Sequence, residues 1–181
     1  MWMTKEELEK YSSDKNIKHP VSWYQNCGGF ALGIEGWYMP TENTEEYLED
    51  FRKAERKNMW RPLEEKLVKK ILKDFPELRI ISKKAIDNID VDTDKYEIIA
   101  FRIERNWWTA TFHFMKCDKD GDWLEKQGHY PTILRHRYEE IYDIWGKHNG
   151  HIYFFVRQRN KPGKGGMRYT IAYKNSSYKR S

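Results

Sequence analysis

The sequence predicts an α+β fold, with helices in the N-terminal half and an antiparallel sheet after them. Three observations carry that prediction. Two stretches between residues 44 and 74 repeat apolar residues at helical spacing. From Leu78 onward, β-branched and aromatic residues dominate short runs separated by turn residues. Helices followed by strands, without strict alternation, imply segregated packing and not a parallel sheet. With 181 residues, 15% of them aromatic and eight of them Trp, the chain is long enough to bury a core without disulfides and too apolar in its large side chains to be disordered.

Taken in order, Thr4 with Glu7 three residues later forms a capping box for a short helix. His19-Pro20 breaks the chain before Asn26-Cys27-Gly28-Gly29-Phe30-Ala31-Leu32, which reads as a cysteine at the start of a second short helix. Pro40 to Thr44 is a loop, and Thr44 caps a helix running to about Asn58 with Tyr47, Leu48, Phe51 and Ala54 on one face. Another helix starts near Arg61-Pro62, where a proline in the first turn loses no hydrogen bond. Its stripe is Leu63, Leu67, Ile71 and Leu72, its wet face Lys66, Lys69, Lys70 and Lys73, and Pro76 stops it.

Strands are expected at Leu78–Ile81, Tyr96–Glu104, Trp107–Cys117 and Trp123–Gln127, with Asp118 to Asp122 as a turn in which Gly121 takes the positive φ. Arg135 to Trp145 reads as a helix. His151–Arg159 and Met167–Lys174 read as a closing hairpin around Lys161-Pro162-Gly163-Lys164-Gly165-Gly166. On this reading residues 1–143 form the α+β core and residues 144–181 a basic β-hairpin extension packed on the same domain.

No apolar run approaches the roughly 18 residues that suggest a membrane span, and Met1-Trp2-Met3-Thr4-Lys5-Glu6-Glu7 is not an apolar signal region, so a cytoplasmic protein that does not enter a membrane is expected. Two cysteines, Cys27 and Cys117, are too few for a disulfide framework or a thiolate zinc site, and no metal or cofactor is expected. Charge is uneven. From Ile144 to the end there is no Asp or Glu and there are nine Lys and Arg; against a whole-chain net of +5, this leaves −4 on residues 1–143. A positive stretch on an otherwise acidic body points to an anionic macromolecular partner, nucleic acid or nucleoprotein.

The chemistry centres on Cys27. A thiol attacks as thiolate and needs a positive environment, which a helix N-terminus supplies through unpaired N–H groups and the dipole. The same groups, with the side chain of Gln25 or Asn26, can bind a developing oxyanion. Gly28-Gly29 disfavours helix by about 1 kcal/mol per residue relative to Ala, so something must approach that backbone closely, either a substrate or another element. Strand alternation places Thr109, Thr111, His113, Met115 and Cys117 on the more polar face and Trp108, Ala110, Phe112 and Phe114 on the core face. A three-residue turn would set Glu125 opposite His113, and a five-residue turn would set Gln127 there. Either would hold the imidazole by its second nitrogen and fix the tautomer that takes the thiol proton. The remaining histidines are less placed: His136 falls on the predicted 135–145 helix and His151 begins a basic strand.

Asn26-Cys27-Gly28-Gly29-Phe30 resembles the cysteine motif of NlpC-type members of the papain-like superfamily, which carry Asp or Asn, then Cys, a small residue, Gly and an apolar residue. Phe112-His113-Phe114 with Asp120-Gly121-Asp122-Trp123-Leu124-Glu125-Lys126 resembles a histidine motif of bacterial proteins of that kind, whose hairpin often reads Asp-Gly-x-Trp-x-His-Lys. The resemblance covers roughly residues 22–37 and 96–128 and implies a papain-like fold with Cys27 as nucleophile, His113 as general base and Glu125 in the orienting place, where this chain departs from the usual His. It implies cleavage or transfer at an amide or ester of a protein substrate, with Gln25 and backbone N–H groups at the oxyanion and Trp23, Tyr24, Trp37 and Tyr38 walling the cleft. The alternative is a non-catalytic binding protein on the same scaffold. There Arg157, Arg159, Lys161, Lys164, Arg168 and Lys174, interleaved with Tyr153, Phe155, Tyr169 and Tyr173, would track phosphates and stack on bases. Small size and high Lys content give this alternative a likeness in character to phage-encoded antagonists of bacterial immunity, including anti-CRISPR inhibitors of RNA-guided nucleases.

Overall fold

The chain is described by a computed structural model covering residues 2–4, 25–87, 91–105, 110–128, 132–142, 151–159 and 171–173. It is α+β. The strands are β1 (Trp2–Thr4), β2 (Gly36–Tyr38), β3 (Arg79–Ile81), β4 (Tyr96–Arg105), β5 (Ala110–Cys117), β6 (Trp123–Lys126), β7 (Ile133–His136), β8 (Tyr153–Gln158) and β9 (Ile171–Tyr173). The helices are α1 (Cys27–Leu32), α2 (Thr44–Lys57), α3 (Trp60–Asp74) and α4 (Lys83–Asp87). Seven strands form one sheet in the order β3-β8-β4-β5-β6-β7-β9, antiparallel except for the parallel β7–β9 pair, and β1 and β2 form a small antiparallel ribbon.

The two long helices form where periodicity expected them, and their ends follow from capping chemistry. Asn43, not Thr44, caps α2: its side chain accepts from the Glu46 N–H at 2.8 Å. Asn58 ends that helix at φ 51°, a left-handed conformation that asparagine tolerates. Phe51 and Ala54 of α2 and Leu63, Leu67, Val68 and Ile71 of α3 are buried, whereas Leu48 is exposed. They pack on one face of the sheet with Ile99, Phe101 and Ile103 of β4, Phe112 and Phe114 of β5, and residues of α1.

The opposite face of β5 is equally buried. Met115 and Cys117 join Ile98, Ala100, Trp123 and Phe154 in a second cluster covered by Ile86 of α4 and by Ile141, next to a 3-10 turn at Tyr138–Glu140. Trp123 stacks on Tyr138 and donates from Nε1 to the Tyr138 carbonyl, and Tyr138 Oη donates to the Ile86 carbonyl. The face read as merely polar is therefore a second core.

Two expectations need correction, and a third lies beyond what is described. Thr4 is the last residue of β1, and the short helix expected after it, with Glu7, lies outside the described residues. Arg135 and His136 belong to β7, because Ile133–His136 pairs with β6. β8 and β9 do not form a hairpin: both edges of β8 are occupied, by β3 and β4, and β9 lies at the far end of the sheet beside β7. The two strands described beyond residue 144, β8 and β9, both lie within the main sheet. Of the two turns the sequence left open, the β5–β6 register selects the five-residue Asp118–Asp122, with Met115 opposite Glu125 and Gly121 at φ 92°. Arg135 clamps that turn through Asp118 (2.8 Å), Asp122 (2.6 Å) and Asp120 (3.3 Å). Among the described residues no helix is long and apolar enough to cross a membrane.

Candidate active site

Asn26 builds the entry to α1. Its Oδ1 accepts from the N–H groups of Gly29 (2.8 Å) and Tyr38 (3.0 Å), and its Nδ2 donates to the Tyr38 carbonyl (2.9 Å). One side chain thus caps the helix and pins it to β2. The glycines permit this approach. A Cβ on Gly28 would lie 2.7 Å from the Tyr38 carbonyl oxygen, and one on Gly29 would overlap the Gly36 carbonyl. The close approach that the double glycine implied is made by β2. Gly33 closes α1 at φ 74°, and Arg157 donates to the Leu32 carbonyl at its end.

This anchoring sets Cys27 at the first position of α1, buried, with its thiol in hydrogen-bonding contact with His113 of β5. The His113 Nε2 faces Glu125 Oε1 at 3.1 Å, which leaves Nδ1 for the thiol. Glu125 reaches His113 although its register partner is Met115: the two side chains share a face and meet on the diagonal of the ladder. Gln127 donates to the same Oε1 at 3.3 Å, so of the two expected third residues Glu125 meets the imidazole and Gln127 meets Glu125. Sequence reasoning missed His136, whose Nε2 lies 2.8 Å from Glu125 Oε2. Strand alternation puts it on the face of Trp123 and Glu125, a signal hidden while residues 135–145 read as a helix.

The electrostatics follow from these contacts. Burial pulls the His113 imidazolium down, but the charge and hydrogen bond of Cys27, the hydrogen bond of Glu125 and the charge of Glu104 outweigh it and raise it well above the usual imidazole range. Burial likewise disfavours an ionised Glu125, yet the hydrogen bonds and charges of His113 and His136 hold it far below the usual carboxylate range. Two more groups lie near the thiol. The ammonium of Lys126, fully buried and donating to the Gly128 carbonyl at 2.6 Å, is pulled down to about 8 by burial and feels the charge of Cys27 in the opposite direction. The phenol of Tyr47 donates to Thr111 Oγ1 and is pushed up by burial and, more weakly, by Cys27.

Gln25 is buried and gives its Nε2 to the Ile34 carbonyl at 2.5 Å, so one amide N–H is committed to the loop after α1. Of the aromatic walls, Tyr38 is core, its Oη on Asp74, and Trp23 and Tyr24 lie outside the described residues. Of the basic candidates, only Arg157 and Arg159 are among the described residues. Arg157 is held by Glu97, Glu77 and the Leu32 carbonyl, and Arg159 by the carbonyls of Thr93, Tyr96 and Cys117. Lys161, Lys164, Arg168 and Lys174 lie outside the described residues. Among the described residues no group of His, Cys, Asp and Glu has the arrangement of a metal site.

In summed chemistry the site offers a buried thiol, a base able to take its proton, and a carboxylate that holds the base. Compared with known proteins, the chain matches no protein-family model, no curated protein and no solved structure.

Proposed function

We propose that the protein is a papain-like thiol hydrolase or acyltransferase acting on an amide or ester, with Cys27 as nucleophile, His113 as general base and acid, and Glu125 as the group that orients His113. The observation that carries this reading is the unbroken contact from the Cys27 thiol through the His113 imidazole to the Glu125 carboxylate. Burial makes each contact stronger than it would be in water.

The thiol proton passes to His113 Nδ1, and the thiolate attacks the carbonyl carbon, forming a C–S bond. The carbonyl oxygen becomes an oxyanion, served by first-turn N–H groups of α1 and by the second N–H of the Gln25 amide. As the oxyanion collapses, the bond to the leaving amine or alcohol breaks, and His113 returns the proton to it. Water, or an acceptor amine or alcohol, then gives a proton to His113 and attacks the thioester, and the C–S bond breaks to restore the thiolate.

The test is the alkylation rate of Cys27 by iodoacetamide across pH, in the wild type and in His113→Ala, read separately from Cys117 by peptide mass spectrometry. A fast rate at neutral pH that falls about 10²-fold without His113 is expected. A rate like that of a free thiol, unchanged by His113→Ala, would overturn the reading and leave the non-catalytic binding protein in its place.

A further inference from the structure

One buried carboxylate is shared here by two imidazoles. The Nε2 atoms of His113 and His136 approach different oxygens of Glu125, at 3.1 Å and 2.8 Å, and all three side chains are about nine-tenths buried or more. The three residues come from consecutive strands and flank the carboxylate from opposite directions. Glu125 is opposite Met115 on β5 and Leu134 on β7; His113 is offset from it toward Gln127, and His136 is offset toward Trp123. Oε1 also receives the Gln127 amide, whereas His136 is the side chain that holds Oε2. Without it the carboxylate is free to turn about its terminal torsion, which is broad and soft. Any such turn moves Oε1 away from the one place where it can hold His113.

We propose that His136 is a positioning residue of this site: it locks the Glu125 carboxylate in the orientation that fixes His113 against Cys27. The proposal rests on the thiol-hydrolase reading above. His136 touches neither the thiol nor the reacting carbonyl and acts through Glu125. Glu125 replaces the histidine of the motif that the hairpin resembles, and a carboxylate with two oxygens needs a second partner that a single orienting imidazole would not.

The test compares the pH–rate profile of Cys27 alkylation in the wild type, His113→Ala, His136→Leu and His136→Gln. His136→Leu is expected to lower the neutral-pH rate about tenfold, less than loss of the base itself, and to move the rise of the profile to higher pH. His136→Gln keeps an N–H donor at similar reach and is expected to recover most of the rate. A wild-type profile in His136→Leu, while His113→Ala still collapses the rate, would overturn this inference alone. Equal impairment in the Leu and Gln variants would overturn it too, by showing a packing role. A free-thiol rate in the wild type would remove the hydrolase reading beneath it. Should His136→Leu fail to fold, nitrogen NMR of the wild-type imidazoles decides: a proton on His136 Nε2 is expected, and its absence would overturn the proposal, since a bare nitrogen cannot donate to a carboxylate.

Discussion

Glu125 hydrogen-bonds to His113 from a position that the sheet assigns to Met115. The contact is diagonal, so it depends on both rotamers and not on register alone. Its pH dependence can be worked out. Glu125 is held below its ordinary value near 4.5, so its contribution is present above about pH 4.5 and is lost as pH falls through the depressed value. His113 is raised above its ordinary value near 6.5, so its contribution is complete below about pH 6.5 and is lost as pH climbs through the raised value. The stability difference between wild type and Glu125→Gln is therefore largest between about pH 4.5 and 6.5 and shrinks on either side, as urea unfolding at a series of pH values will show.

Asn26→Ala removes three hydrogen bonds at once and leaves the buried N–H and carbonyl of Tyr38 without that partner. A loss of about 3 kcal/mol is expected, above the usual cost of a missing helix cap. Chemical denaturation measures it. Asn26→Asp should recover the two accepted bonds but not the donated one, and fall between.

The double glycine gives a graded pair. Gly29→Ala drives a methyl into the Gly36 carbonyl and is expected to cost about 3 kcal/mol, because backbone on both sides must shift. Gly28→Ala meets the Tyr38 carbonyl at 2.7 Å and should cost about 1–2 kcal/mol. Melting temperatures of the two variants, ranked in that order, are the check; equal values would show that α1 does not press on β2.

The two cysteines should label in sharply different ways. Burial, then the charge of Asp118, pushes the Cys117 thiol up to about 12 despite the opposing Arg159, in an apolar cluster without an imidazole partner. In the native protein Cys27 is expected to react at least about tenfold faster than Cys117, and in urea the two should become equal. Peptide-resolved mass spectrometry distinguishes them.

The helices were legible because α2 and α3 carry apolar stripes at one period and lie between polar loops. The meeting of Cys27 and His113 was legible from the order of parts and from strand parity. Register was not, since Asp118 and Asp122 suit the ends of a strand as well as a turn; the clamp by Arg135 that settles it comes from a different strand. His136 was hidden because β7 is four residues long with two basic side chains, so no alternation shows in the sequence alone. The pairing of β9 with β7 depends on residues far apart in the chain, and local pattern favoured the neighbouring β8 instead.

On the thiol-hydrolase reading, the anchoring of α1 also makes reactivity a property of the finished molecule. Cys27 is synthesised before the imidazole and carboxylate that would activate it, and before the strand that braces them. Until they pack, the chain carries an ordinary thiol, without the imidazole contact that the folded site supplies. On the proposed reading, the labelling rate of Cys27 then serves as a clock for the completion of folding.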